Sequence, residues 1–156
     1  VRLRQTLAAA FAHVDAQLRL RHDLLGELIE AAAAAEPADA TAALVAVDAA
    51  RQQTRIAADR AARRPGSAGR LASLVLAEQV LQSALPRLIA LVEARQAHGD
   101  DPTPREGLTQ LSAAQAGLAA AGQAFNAAVL DYNRNAQQFP TRLVAAMFGF
   151  RAAGTL

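Results

Sequence analysis

Apolar residues recur three and four positions apart along most of the chain, and that rhythm is the signature of one face of an α-helix. In the first segment Leu7, Phe11, Val14, Leu18, Leu25, Leu28 and Ala32 keep it, Arg21 stands in the slot between Leu18 and Leu25, and Arg19, Asp23, Glu27 and Glu30 largely face elsewhere. A first helix is predicted over about 1–35, roughly 50 Å long at 1.5 Å per residue. Gly26 interrupts good helix formers at a cost of about 1 kcal/mol relative to Ala, which predicts a bend or a close helix crossing. Glu36-Pro37 closes this helix, because the residue before Pro is pushed out of the α region.

A second helix is predicted over 39–63, capped by Asp39 or Thr41, with Leu44, Val45, Val47 and Ile56 on a narrow apolar stripe otherwise made of Ala. Arg55, Arg60, Arg63 and Arg64 crowd its end. They either complement the helix dipole or form a patch for anionic lipid or phosphate. Arg64-Pro65-Gly66-Ser67 is a turn signal, and Ser67 is placed to cap a third helix over 67–97. Its seam is Leu71, Leu74, Val75, Glu78, Leu81, Leu85, Leu88 and Val92. Glu78 on that seam is either solvated by a small rotation or meets Asn126 or Asn133 across the bundle. Pro86 removes a helical hydrogen bond at about 3 kcal/mol, which predicts a kink or a break. After the loop-like stretch from His98 to Pro104, a fourth helix is predicted over 104–139 through Leu108, Leu111, Leu118 and the seam Phe125, Val129, Tyr132, Ala136 and Phe139.

Four helices of similar length joined by short turns predict an all-α fold, a long antiparallel up-down-up-down four-helix bundle with coiled-coil-like seams. A short apolar C-terminal segment follows over 140–150, and the 156 residues form a single domain. Composition agrees: more than a quarter of the chain is Ala and only 4% is aromatic. The bare stretch Ala113 to Ala121 either lets a neighbouring helix come close or simply uses Ala as a helix former, and the plainer reading is preferred.

Every basic residue is Arg, so the sequence pI near 10.3 accompanies a net charge of only +2. Ten Arg face eight acids up to residue 70 and six face six beyond it, so neither half of the sequence carries a basic field and nucleic-acid binding is not expected. There is no Cys, hence no thiolate chemistry. The most apolar long window, Ala113 to Leu130, is interrupted by Gln115, Gln123 and Asn126, and no membrane-spanning segment is expected. The chain starts at Val1 inside a helical pattern without an initiator Met, which raises the expectation of a processed upstream piece.

Two dense patches carry a family resemblance. One is FAHVDAQLRLRHDLLGELIE; the other is FNAAVLDYNRNAQQFPTRLVAAMFGF, in which Phe-Asn, Val, Tyr-Asn and Phe-Pro precede an apolar run ending Phe-Gly-Phe. Together they resemble the LemA family, over nearly the whole chain from Leu3 to Phe150. Gly26-Glu27 replaces the family's common Pro-Asn, Phe125 replaces a common Tyr, and the tail after Phe150 is short. The resemblance implies a long four-helix bundle, usually carried on a bacterial membrane by one N-terminal transmembrane helix just upstream, with a poorly defined biochemical role and, in one branch, a link to membrane formation.

Catalytic chemistry is thinly represented. A di-iron bundle needs Glu-x-x-His pairs, and none occurs. His13, His22 and His98 are far apart, and His22-Asp23 cannot face one site because helix neighbours point about 100° apart. No nucleophile elbow, phosphate loop or dinucleotide fingerprint is present. The chain is therefore expected not to be an enzyme, and to use no cofactor, metal or small-molecule substrate. The residues singled out for contacts are Asp15, Gln17, His22, Glu78, Asn126, Tyr132 and Asn133, expected to form a buried polar layer that sets helix register or to line a partner groove. Phe139, Leu143, Val144, Met147, Phe148 and Phe150 either cap the open end of the bundle or present an apolar surface. The leading expectation is a scaffold at a membrane surface, binding a protein partner or itself. A soluble helical adaptor or regulator of a membrane protease or envelope machine is the alternative.

Overall fold

A computed structural model describes residues 2–34, 40–97, 99, 102–136, 139–140 and 143–144. The elements are α1 (Arg2–Ala33), α2 (Thr41–Arg63), α3 (Ala68–Ala97) and α4 (Thr103–Ala136), with no strand among the described residues. The starts of α1 and α3 pack with the ends of α2 and α4 in one apolar cluster that includes Leu7, Ala61, Leu71 and Tyr132. Leu28, Leu44, Leu88 and Leu111 belong to a second cluster at the opposite end. That arrangement is the up-down-up-down bundle.

The pairing of helices is uneven. α1 lies closely on α4 and α2 on α3, whereas α3 meets α4 only sparsely. Small residues explain the first pairing: a Cβ at Gly107 would sit 2.7 Å from Leu28 Cδ2, and one at Gly117 would sit 2.5 Å from Gln17 Oε1. The glycines of α4 thus make room for side chains of α1, and helix propensity alone is an incomplete account of this bare stretch. The sparse contact on the other side leaves α3 partly uncovered, with Leu76 and Val80 more than half exposed.

Helix ends follow local chemistry in part. Ser67 caps α3: its Oγ accepts from the Arg70 N–H at 3.3 Å and its carbonyl from the Leu71 N–H at 3.1 Å. α2 differs from expectation, since Ala40 stands at its N-cap without a side-chain cap, Thr41 is already helical, and Asp39 lies outside the described residues. α3 is also not broken at Pro86. Leu81, Leu85, Leu88 and Val92 on either side of it are at most 1% exposed, and burying that seam outweighs one missing backbone bond. Among the described residues α3 is, by length and composition, the helix apolar enough to cross a membrane, rather than the Ala113 to Leu130 window of α4. In the bundle it is a core helix with Glu78 in its middle.

Candidate functional site: a buried polar layer and its surroundings

The two apolar clusters are separated by a waist to which each helix contributes one buried polar residue: Arg21, Thr54, Glu78 and Gln115. Each stands in a seam slot, between Leu18 and Leu25, Ala50 and Ala57, Val75 and Leu81, and Leu111 and Leu118. Arg21 Nη1 and Nη2 donate to Glu78 Oε1 and Oε2, both at 2.6 Å, in a two-pronged ion pair whose side chains are 1% and 5% exposed. Arg21 Nη1 also donates to Gln115 Oε1 at 3.1 Å, and Gln82 Nε2 donates to Glu78 Oε1 at 3.0 Å. Thr54 Oγ1 turns back to the Ala50 carbonyl at 2.9 Å and reaches the Ala77 carbonyl at 3.3 Å. Burial pushes the Glu78 carboxyl up, but the charge and hydrogen bonds of Arg21, with Gln82, more than reverse this and hold it below its ordinary value.

A polar layer is therefore present, with a different membership from the one expected. Glu78 is neither solvated nor paired with Asn126 or Asn133, because Arg21 reaches it from α1. Arg21 was legible as a polar residue in an apolar slot and Gln115 as an interruption of the Ala113 to Leu130 window, whereas Thr54, on the Ala-rich stripe of α2, was not singled out. The Arg21 gap in the α1 rhythm and Glu78 on the α3 seam carry complementary charges, and packing brings them to the same height in the bundle. Asp15 instead belongs to an outer network: Arg55 Nη2 donates to both Asp15 Oδ1 and Asp59 Oδ1, and Arg19 joins the same two carboxylates. Gln17 packs against Gly117.

His22 sits beside the waist on α1. Arg51 Nη1 of α2 donates to its Nε2 at 2.8 Å and to its carbonyl at 3.0 Å, which places the ring proton on Nδ1. Burial, then the Arg51 charge, hold the imidazole below its ordinary pKa of 6.5, with Arg55 assisting and Asp23 opposing. A group with a depressed folded pKa contributes stability above its unfolded value and loses it as pH falls through the folded value. The bundle is thus expected to lose stability on acidification below about 6.5, and His22→Gln to remove that component. Urea midpoints of the two proteins across this range are the check, and parallel pH profiles would sink the assignment.

Asn126 is buried on α4, and Tyr132 is buried with its ring edge-on to Phe139 at 5.7 Å between centroids. Asn133 acts locally, because its Oδ1 accepts the Phe139 backbone N–H at 2.8 Å and turns the chain back after α4, which ends at Ala136 rather than at Phe139. The candidate apolar surface is correspondingly reduced. Phe139 is 3% and Leu143 9% exposed, both in the cluster with Leu7, with Val144 half-buried against it; a single turn returns the Leu143 and Val144 N–H groups to the Pro140 carbonyl. Met147, Phe148 and Phe150 lie outside the described residues.

No group of three or more His, Cys, Asp or Glu side chains is placed to hold a metal ion among the described residues. The model of the LemA family matches residues 10–156, nearly the whole chain. No curated protein and no solved structure gives a significant match.

Proposed function

The chain belongs to the LemA family, and on that premise we propose that it is a non-enzymatic interaction scaffold, the helical part of a protein tethered to a bacterial membrane by an N-terminal transmembrane helix. In this reading the rigid bundle supports membrane organisation by binding a protein partner or another copy of itself. The observation that carries the reading is the uncovered face of α3. Leu76 and Val80 are 63% and 61% exposed one turn apart, beside an apolar groove that continues through Ala72 to Pro140 and Leu143. Exposed large apolar residues at helical spacing beside such a groove are the kind of surface on which another helix docks. The buried waist supports the same reading, because its charges are spent on one another inside the fold.

The test replaces Leu76 and Val80 together with Ser in the full-length protein. The variant is expected to keep its melting temperature and to lose the cross-linked or high-mass assemblies that the wild type forms in its native membranes. Assemblies unchanged by L76S/V80S would overturn the scaffold reading. Recovery of the wild type from the soluble fraction would favour the alternative, a soluble adaptor or regulator of a membrane protease or envelope machine.

A further inference from the structure

The near-neutral chain is electrically polarised by its fold. Among the described residues, the half of the bundle built on the Leu7 to Leu143 cluster carries Arg2, Arg4, Arg60, Arg63, Arg64, Arg70 and Arg134, against Asp15, Asp59 and Asp131. Asp15 and Asp59 are bound by Arg19 and Arg55. The opposite half carries Arg51, Arg87, Arg95 and Arg105 against six carboxylates, Asp23, Glu27, Glu30, Asp48, Glu93 and Glu106. Comparing halves of the sequence hides this, because antiparallel folding brings the start of α1, the α2–α3 turn and the end of α4 to one end. The arginine cluster that ends α2 thus belongs to a larger basic surface.

That end also contains a shaped recess. A cleft of about 620 Å³ lies between the start of α1 and the α2–α3 turn, with Arg4 and Arg64 on its walls, Ser67 at the start of α3, and Tyr132 from α4. The Tyr132 hydroxyl lies 3.9 Å from where a Cβ on Gly66 would stand, so the missing side chain helps keep this wall low. No carboxylate among the described residues pairs with Arg4 or Arg64, and both are exposed. Guanidinium groups that converge on an open cleft match the oxygens of a phosphate. A cluster of cationic side chains at one end of the bundle matches the phosphate layer of an anionic bilayer surface.

We infer that this end of the bundle is a docking surface for anionic phospholipid, with Arg4 and Arg64 taking a headgroup phosphate in the cleft. The inference deepens the membrane-scaffold reading and rests on it for its choice of a bilayer as neighbour. It orients the bundle with its long axis away from the membrane and leaves the α3 face free along its side.

The test is flotation of the full chain with phosphatidylcholine vesicles and with mixed phosphatidylcholine–phosphatidylglycerol vesicles. Binding is expected only to the anionic vesicles and is expected to weaken with salt. R4Q/R64Q is expected to bind roughly 25-fold more weakly, at about fivefold per arginine. R87Q/R105Q, with the same change in net charge at the other end, is expected to bind as the wild type does. Equal binding to neutral vesicles, equal losses in both double variants, or no loss in R4Q/R64Q overturns the inference. So does displacement by inorganic phosphate beyond that by chloride at equal ionic strength, which identifies a free-phosphate site. Because L76S/V80S reads assembly and R4Q/R64Q reads vesicle binding, failure of either reading is seen separately.

Discussion

Glu78→Ala is expected to lower the free energy of unfolding by about 3–5 kcal/mol, measured by urea denaturation at neutral pH. The magnitude follows from what the substitution leaves behind. Arg21 is 1% exposed, and two of its donors lose their carboxylate partner at 2.6 Å while the charge remains in the core. Gln115 is then the remaining acceptor within reach of Nη1, at 3.1 Å. Removing both charges has the opposite character: R21M/E78L fills similar volume with apolar atoms, and buried ion pairs replaced in this way are often neutral or more stable. The expected pattern is therefore a large loss in the single variant and recovery in the double. A loss below about 1 kcal/mol for Glu78→Ala would show that the pair is solvated, since that is the range of exposed ion pairs.

The same pair predicts an acid limb. The folded pKa of Glu78 is held below its ordinary value of 4.5, so the contribution of the pair is complete above that value. It is lost as the pH falls through the lower folded value. Wild type is accordingly expected to lose stability on acidification below about 4.5, and R21M/E78L to lack that component. This limb lies below the one assigned to His22, and the two variants separate them.

Why the waist was only half legible is a matter of rotation and partner choice. Periodicity put Glu78 on the α3 seam and Arg21 in a gap of the α1 seam, and both positions are buried. It could not say which polar residue on another helix lies at the same height, because that depends on helix offsets set by packing along their whole length. Asn133 shows the complementary limit. Its position beside a seam resembles a register-setting Asn, yet its carbonyl oxygen is occupied locally by the Phe139 N–H. The helices themselves were legible to within a few residues, because long amphipathic segments bounded by Pro and Gly leave few alternatives. The polarised charge was not, since it exists only once the chain has doubled back three times.

Phe139→Ala is expected to cost about 3–5 kcal/mol, as for other buried aromatic truncations. The expectation distinguishes a structural cap from a surface-seeking residue. Phe139 is 3% exposed and edge-on to Tyr132, in the same apolar cluster as Leu7 and Leu71, so its removal opens a cavity at the end of the core. Asn133→Ala addresses the same device through the backbone and is expected to cost about 1 kcal/mol, the worth of one hydrogen bond. The two sites act on one turn, so the double variant is expected to lose less than the singles added together. Thermal and urea unfolding of the three variants measure this directly. A Phe139→Ala protein as stable as the wild type would place that ring outside the core and make the segment after α4 a surface element. A destabilised one identifies Phe139 as the residue that closes the end of the bundle carrying the arginines, and so holds the Tyr132 wall of their cleft in place.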